Sequence, residues 1–414
     1  MTGRHQPEPP AHGRRLDIDW LRAGAVYLLL LYHSARPFDS EDWHVKDAHP
    51  SVAVDLMNGA IGLWHMPLLF TLAGWSLEAS LERRGTSGVL RERRERVLVP
   101  FAFGCVALIP LCAYVEGRHK GELDSGFLEY LPAFFTSLDQ FTWMHLWFLI
   151  YLYVFTLLYL PALRRLHERR PRIERVPAWV PYAAIVPLVA VQVALRGRWP
   201  GYQNLYDDWA NFALYSLFLI AGFLLACFPA IERAVHDERR RAACAGAAAV
   251  LAHAVLTGGG KLPAGSPRWV AAEALTAVAG ACVVMALLGY GAKLLAGRER
   301  GLGFARDSAM PVYVLHQPLI ILLAVPTVAL PAGAAVKLPL LVATSTTATL
   351  GAYLLVRRSR TLRQLLGARV GPRAESPRRS GAASRSPGRA ARTRARLRPP
   401  TRRTRASRGS GPAA

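Results

Sequence analysis

Two residues that could act on a substrate stand in the first apolar segment of the chain, Arg22 and His33. Charged side chains at membrane depth are costly, about 2.5–3.5 kcal/mol each at a helix centre, so they usually serve a function. In an α-helix, the eleven positions between the two residues correspond to three turns plus roughly 20°, and to a rise of about 16 Å. Both side chains therefore share one helix face, near opposite ends of a possible polar passage.

The imidazole of His33 is suited to act as a general base. A neutral imidazole near pH 7 can take the proton of a sugar hydroxyl, which alone attacks an acyl carbonyl poorly. For Arg22, two interpretations stay open. It is either a structural partner of Asp17 or Asp19, or a bidentate ligand for an anionic donor, for which guanidinium geometry is suited. We expect Asp19 to line the same site.

Four further histidines fall within or at the ends of apolar segments. In a bilayer such residues are functional more often than in water. We expect His65, His145 and His316 to line the site, with hydrogen bonds between packed helices as the alternative. For His253, which lies in an Ala-rich segment, the structural interpretation is favoured.

A second basic feature precedes the third apolar segment, in the stretch Leu90-Arg-Glu-Arg-Arg-Glu-Arg-Val-Leu-Val-Pro-Phe101. Its charge alone would be explained by anchoring at the cytoplasmic surface. Arg93 and Arg96, however, are one helical turn apart, so their side chains can meet the same phosphate group. We therefore predict that they bind the donor together with Arg22.

Apolar segments must position these residues. Hydrophobic residues make up 52% of the 414-residue chain and fall into blocks long enough to cross a bilayer as helices. The sequence therefore predicts an all-α, polytopic integral membrane bundle of about ten transmembrane helices. The predicted spans are residues 18–34, 54–78, 97–115, 144–161, 178–195, 209–228, 242–258, 269–290, 308–328 and 337–356.

The loops between these spans predict the orientation of the bundle. Loops after odd-numbered spans carry at most two Lys or Arg, whereas those after even-numbered spans carry four to six. By the positive-inside rule, the Arg-rich loops and both termini are cytoplasmic. We expect a cytoplasmic N-terminal segment (1–15), a membrane domain (16–356) and a cytoplasmic Arg-rich tail (357–414). The tail has too few apolar residues to fold and is predicted to be disordered.

The charge of the tail dominates the net charge of the chain. Of the formal +23, residues 357–414 supply 18 Arg against the single acid Glu375. Such a segment is attracted to anionic lipid, and we expect membrane lipids as its partner. We expect no specific nucleic-acid site, because no aromatic residues alternate with the Arg. The five cysteines lie in apolar segments without a CxxC spacing and are expected to be packing residues, so no metal site and no bound cofactor are predicted.

Four stretches, in order along the membrane region, resemble the bacterial membrane acyltransferase-3 family. They are Leu16-Asp-Ile-Asp-Trp-Leu-Arg22 with Tyr32-His33, His65-Met-Pro-Leu-Leu-Phe-Thr-Leu-Ala-Gly-Trp75, Arg93-x-x-Arg96-Val-Leu-Val-Pro100, and His145-Leu-Trp-Phe-Leu149 with Pro311-Val-Tyr-Val-Leu-His-Gln-Pro318. The fourth stretch is also similar to the glucan-succinylating branch. One departure is Ala73, where the family often has Ser, so a role for that hydroxyl is excluded.

The resemblance implies that acyl groups pass to extracytoplasmic glycans or related hydroxyl acceptors. It also implies that His33 is essential and that Arg22, Arg93 and Arg96 engage an acyl-CoA-type donor substrate. The sequence thus predicts an integral membrane O-acyltransferase of a bacterial plasma membrane. A transporter or exporter of a glycan or lipid-linked substrate is the alternative, although no internal repeat of the transporter kind is seen. A membrane scaffold with a basic tail is a third class.

Overall fold

The computed structural model describes residues 15–137 and 141–368, and these residues form helices and no strand. Short 3₁₀ turns precede α7 and α8, at Met144–Leu146 and Val180–Ala184. The α-helices are α1 (Leu16–Ala35), α2 (Val52–Gly62), α3 (His65–Arg93), α4 (Val99–Ala107), α5 (Ile109–Lys120), α6 (Phe127–Thr136), α7 (Trp147–Arg169), α8 (Ile185–Leu195), α9 (Trp209–Cys227), α10 (Pro229–Thr257), α11 (Pro267–Leu295), α12 (Leu302–Val328), α13 (Ala334–Val356) and α14 (Arg360–Leu365).

The helices are those of an integral membrane protein. Six helical stretches of the described chain are long and apolar enough to cross a membrane by length and composition. They are Val52–Ala107, Met144–Arg169, Trp209–Cys227, Pro267–Leu295, Leu302–Val328 and Ala334–Val356. The predicted all-α membrane bundle is confirmed, whereas the count of about ten spans stays a prediction.

The helical stretch from Val52 to Ala107 covers the predicted span 54–78 and the first part of the predicted span 97–115, and it is not one regular helix. The backbone leaves the helix at Trp64, between α2 and α3. Within α3, Gly85 has a φ of 65° and kinks the helix, a conformation that glycine adopts without steric cost. Residues Arg94–Leu98 then form a π-helical turn. Such turns are rare and often occur at functional sites, and this one begins directly after Arg93 and includes Arg96.

Contacts between loops agree with the predicted alternation of the chain across the membrane. We call the end of the bundle with the Arg-rich loops the basic face and the other end the opposite face. Loops on the opposite face are joined by Lys261–Glu41 at 3.2 Å and Lys337–Asp47 at 2.6 Å. On the basic face, loops and helix ends are joined by Arg170–Glu82 at 3.3 Å and by Arg233 to the Glu174 carbonyl at 2.6 Å.

The core lies where α1, α3, α7, α9, α11 and α12 meet. A cluster of buried rings fills its centre, in which Phe70 stacks on Tyr215 at 4.6 Å and meets Phe148 edge to face at 4.8 Å. Helices α3 and α9 pack backbone to backbone through Gly74 and Gly222. Small residues allow this close approach, which is the usual packing mode of membrane helices.

The start of the predicted tail differs from the prediction. Residues 360–365 form helix α14, and Leu366 is buried at 2% exposure. Gly367, with a φ of 65°, lies against Arg96 and Pro100. These contacts give residues 357–368 the apolar burial that composition alone did not indicate. The N-terminal segment before Arg15 and the tail after residue 368 lie outside the described residues.

Candidate active site

Three histidines from different helices meet beside the end of α1. His33 lies 5.1 Å from His316 between ring centroids, and His316 lies 5.1 Å from His145. Trp43, from the loop after α1, stacks near His33 at 6.4 Å. The ring of His65 stacks instead on Tyr32, the neighbour of His33, at 6.3 Å. We call His33, His145 and His316 the histidine cluster.

Backbone carbonyl groups fix the rings of His65, His145 and His316. A carbonyl oxygen only accepts, so in each case the ring nitrogen facing it carries the proton. His65 Nε2 donates to Ala25 at 2.7 Å, His145 Nε2 to Val314 at 3.1 Å, and His316 Nδ1 to Tyr313 at 2.6 Å. The neutral forms of His145 and His316 are thereby left with Nδ1 and Nε2, respectively, as hydrogen-bond acceptors.

Several buried polar atoms in and next to the histidine cluster have no hydrogen-bond partner among the described residues. They are Nδ1 of His33, Nδ1 of His145, Nε2 of His316 and Oε1 of Gln317. A buried polar atom left unpaired costs about 1–3 kcal/mol, so such atoms are few in native proteins. Their concentration on neighbouring side chains indicates a place where polar ligand groups bind.

A chain of polar side chains connects Gln317 to the opposite face, and sequence reasoning missed it. The side-chain nitrogen Nε2 of Gln317 lies 2.9 Å from Nε2 of His44, whose Nδ1 lies 2.6 Å from Glu116 Oε2. Lys120 donates to the other oxygen of Glu116 at 2.8 Å. Burial alone would raise the pKa of the Glu116 carboxyl, but His44 and Lys120 outweigh it and lower that pKa to about 2.

No pattern in the sequence distinguished these partners. His44 and Glu116 flank apolar segments, where polar residues are ordinary, and they are 72 positions apart. Gln317 directly follows His316 within one of the motifs, and that adjacency was the only signal available.

The predicted donor-binding residues form a second group on the basic face. Arg22 donates to the Leu72 carbonyl at 3.3 Å and to the hydroxyl of Ser76, which ties α1 to α3. Arg22, Arg93 and Arg96 lie close enough for their charges to repel one another. We call these three the arginine cluster. Glu92 pairs with Arg96 at 3.5 Å and offsets only part of that charge.

The two interpretations of Arg22 are not exclusive in this geometry. Asp17 pairs with Arg15 at 2.7 Å and not with Arg22. Arg15 also pairs with Glu232 and lies 4.9 Å from the centre of the Trp75 ring. Arg22 is 3.5 Å from Asp19, a long contact, and its side chain is 31% exposed. It is therefore held in place by its neighbours while part of its side chain stays accessible.

One group of the described residues has metal-ligating atoms close together. Atoms of Glu78 in α3, and of His167 and Cys227 at the ends of α7 and α9, lie within 4.8 Å of one another. The guanidinium of Arg170 already lies 2.6 Å from His167 Nδ1 and 3.9 Å from Glu78. This cation neutralises the carboxylate, so the group fits an ion-pair cluster better than a metal site.

Fold and site together define a multi-helix integral membrane protein with a histidine cluster towards one face and an arginine cluster at the other. The chain belongs to the acyltransferase-3 family, whose acyltransferase domain matches residues 15–357. The protein is therefore a membrane O-acyltransferase.

Curated relatives agree with this assignment. The chain is similar to glucans biosynthesis protein C of Escherichia coli, for example from strains 536, ED1a and HS. Identity is 24% over 322 residues, which cover 74% of this chain and 82% of each relative. No solved structure matches significantly.

Proposed function

We propose that the protein transfers an acyl group from a cytoplasmic acyl-CoA to a hydroxyl of an extracytoplasmic glycan. By the positive-inside rule the basic face is cytoplasmic. Both chain ends then lie on the cytoplasmic side of a bacterial plasma membrane. The name of the relatives favours a glucan as acceptor. An acetyl or succinyl group is the acyl group that the family resemblance favours.

The arginine cluster is proposed to bind the phosphates of the donor. Three guanidinium groups that repel one another are stabilised when a multiply charged anion binds among them. With the phosphates at the basic face, the thioester would extend along α1 towards His33. In this arrangement Asp19 and Glu92 orient the arginines rather than contact the donor.

The proposed chemistry takes place at His33. The imidazole takes the proton of the acceptor hydroxyl while the hydroxyl oxygen attacks the thioester carbonyl. The carbon–sulfur bond breaks as the ester carbon–oxygen bond forms, and the proton passes from His33 to the leaving thiolate. Holding both substrates in place supplies further acceleration. His65, His145 and His316 are proposed to line the site.

The observation that carries this proposal is the set of unpaired acceptor atoms beside His33. His145 Nδ1 and His316 Nε2 can only accept, because their other nitrogens donate to carbonyl groups. Gln317 Oε1 is also an acceptor. A ligand that satisfies three acceptors must bring several donors, and a sugar with neighbouring hydroxyl groups does so. An apolar substrate would leave all three hydrogen-bond acceptors unpaired.

Radiolabelled acetyl-CoA and succinyl-CoA, supplied with purified protein and a gluco-oligosaccharide, test the proposal. We expect label on the oligosaccharide and release of CoA. The alternative, an exporter, predicts instead that unmodified oligosaccharide crosses the membrane of sealed proteoliposomes without CoA release. That result would overturn the proposed function.

A prediction concerns the arginine cluster. Arg93→Met or Arg96→Met is expected to raise the donor KM about 10–100-fold, because a hydrogen bond to a charged group contributes about 1.5–3 kcal/mol. Arg94→Met is the matched control, since Arg94 lies between them but is 64% exposed and 4.0 Å from Glu95. Initial rates at varied acyl-CoA measure the effect. Equal donor KM values for the three variants would remove the cluster from donor binding.

A further inference from the structure

We propose that Gln317 binds a second hydroxyl of the acceptor, next to the hydroxyl that is acylated, and that His44 and Glu116 position its amide. This inference rests on the proposed function and deepens it, because it assigns the acceptor a pair of neighbouring hydroxyl groups. It concerns residues that were not among the predicted site residues.

The position of Gln317 relates it to His33 from two directions. Gln317 directly follows His316, whose ring is 5.1 Å from that of His33. Its partner His44 directly follows Trp43, whose ring stacks 6.4 Å from the same imidazole. The contact between Gln317 and His44 thus joins the residues that follow two ring neighbours of His33, Trp43 and His316. Gln317 itself is 2% exposed.

The charge state of Glu116 determines the tautomer of His44. Despite burial, the hydrogen bonds from His44 and Lys120 lower the pKa of Glu116, so it is a carboxylate and can only accept hydrogen bonds. His44 Nδ1, 2.6 Å away, therefore carries the ring proton. In the neutral ring, Nε2 is then left with a lone pair and can only accept.

That tautomer in turn orients the amide of Gln317. The group that faces His44 Nε2 at 2.9 Å must be a donor, so it is the amide NH₂. The amide oxygen is directed away from His44 and is the buried acceptor without a partner among the described residues. A hydroxyl neighbouring the reacting one can donate to it. Glu116 and His44 thus act on the substrate only through Gln317.

The variant Glu116→Gln tests this chain without changing its shape. Lys120 only donates, so the new amide oxygen turns to Lys120 and the new NH₂ faces His44. His44 must then accept at Nδ1 and donate from Nε2, which turns the Gln317 oxygen to His44 and its NH₂ to the substrate. Losing the acceptor is expected to raise the KM for a gluco-oligosaccharide about tenfold, with the acyl-CoA KM unchanged.

A second substitution is expected to reverse the defect. In the double variant Glu116→Gln/Gln317→Glu, one carboxylate oxygen accepts from His44 Nε2 and the other remains an acceptor for the substrate. We expect its oligosaccharide KM to return to within about threefold of wild type. Lys120→Met is the matched control, because Glu116 stays a carboxylate and the His44 tautomer is kept. Gln317→Leu removes both the oxygen and the NH₂ of the amide, and its oligosaccharide KM should match that of Glu116→Gln.

The assays use full-length protein in proteoliposomes, with rates normalised to the inserted protein. An oligosaccharide KM near wild type in both Glu116→Gln and Gln317→Leu would overturn the inference, as would a double variant no better than Glu116→Gln. If Glu116→Gln does not accumulate, Gln317→Leu alone decides by the same KM criterion. A wild-type protein that acylates no hydroxyl compound would instead overturn the proposed function, and this inference with it.

Discussion

His33→Ala is expected to abolish acyl transfer while the protein still inserts and accumulates. A positioned general base contributes about 10²–10⁴-fold to the rate, and the neighbouring histidines are fixed in other positions. The other rings of the histidine cluster, His145 and His316, are each oriented by a hydrogen bond to a carbonyl group, which keeps them from moving into the place of His33. Transfer of radiolabel from acyl-CoA to a gluco-oligosaccharide measures the loss.

Two further variants separate the loss of the base from the loss of packing. His33→Gln keeps a polar side chain of similar size that cannot take a proton, so it is expected to be as inactive as His33→Ala. His253→Ala removes a half-buried histidine from α10 and is expected to keep wild-type activity. Activity near wild type in His33→Gln would remove His33 from proton transfer, even if His33→Ala were inactive.

Gly222→Ala is expected to prevent the close packing of α3 and α9. A methyl group at this position would lie 1.9 Å from the Thr71 carbonyl oxygen, and one at Gly74 would lie 1.9 Å from that of Leu219. Both obstacles are backbone atoms, so no side-chain rotation relieves them. We expect a cost of about 3 kcal/mol, the upper end of the usual range for overpacking, and a strong fall in the amount of folded protein.

The matched control is Gly24→Ala in α1, where no atom lies within 4 Å of the added methyl group. Alanine favours a helix over glycine by about 1 kcal/mol, so this variant is expected to be at least as stable as wild type. Size-exclusion chromatography and thermal unfolding in detergent compare them. Wild-type stability of Gly222→Ala would mean that the two helices do not approach this closely.

The arrangement of the arginine cluster was only partly predictable. The sequence placed Arg93 and Arg96 one helical turn apart, and both do lie near Arg22. It did not predict the π-helical turn of Arg94–Leu98, which follows Arg93 and includes Arg96. It also left Asp17 or Asp19 open as partners of Arg22, whereas Arg15 takes the Asp17 carboxylate. Local spacing identifies candidate partners, but competition among nearby charges decides which pair forms.

The amino-acid sequence by itself determined the all-α membrane class, the family and the shared helix face of Arg22 and His33. The class and the shared face follow from local rules, because bilayer thickness sets helix length and 3.6 residues per turn set which side chains align. The family follows from the resemblance of the four motif stretches. Only the tertiary structure decided that His33 meets Trp43, His316 and His145, and that Gln317 is held by His44. Such contacts join residues far apart in the chain, and they depend on which helix faces pack together. Close approaches such as that at Gly222 fix this packing, and no local pattern encodes it.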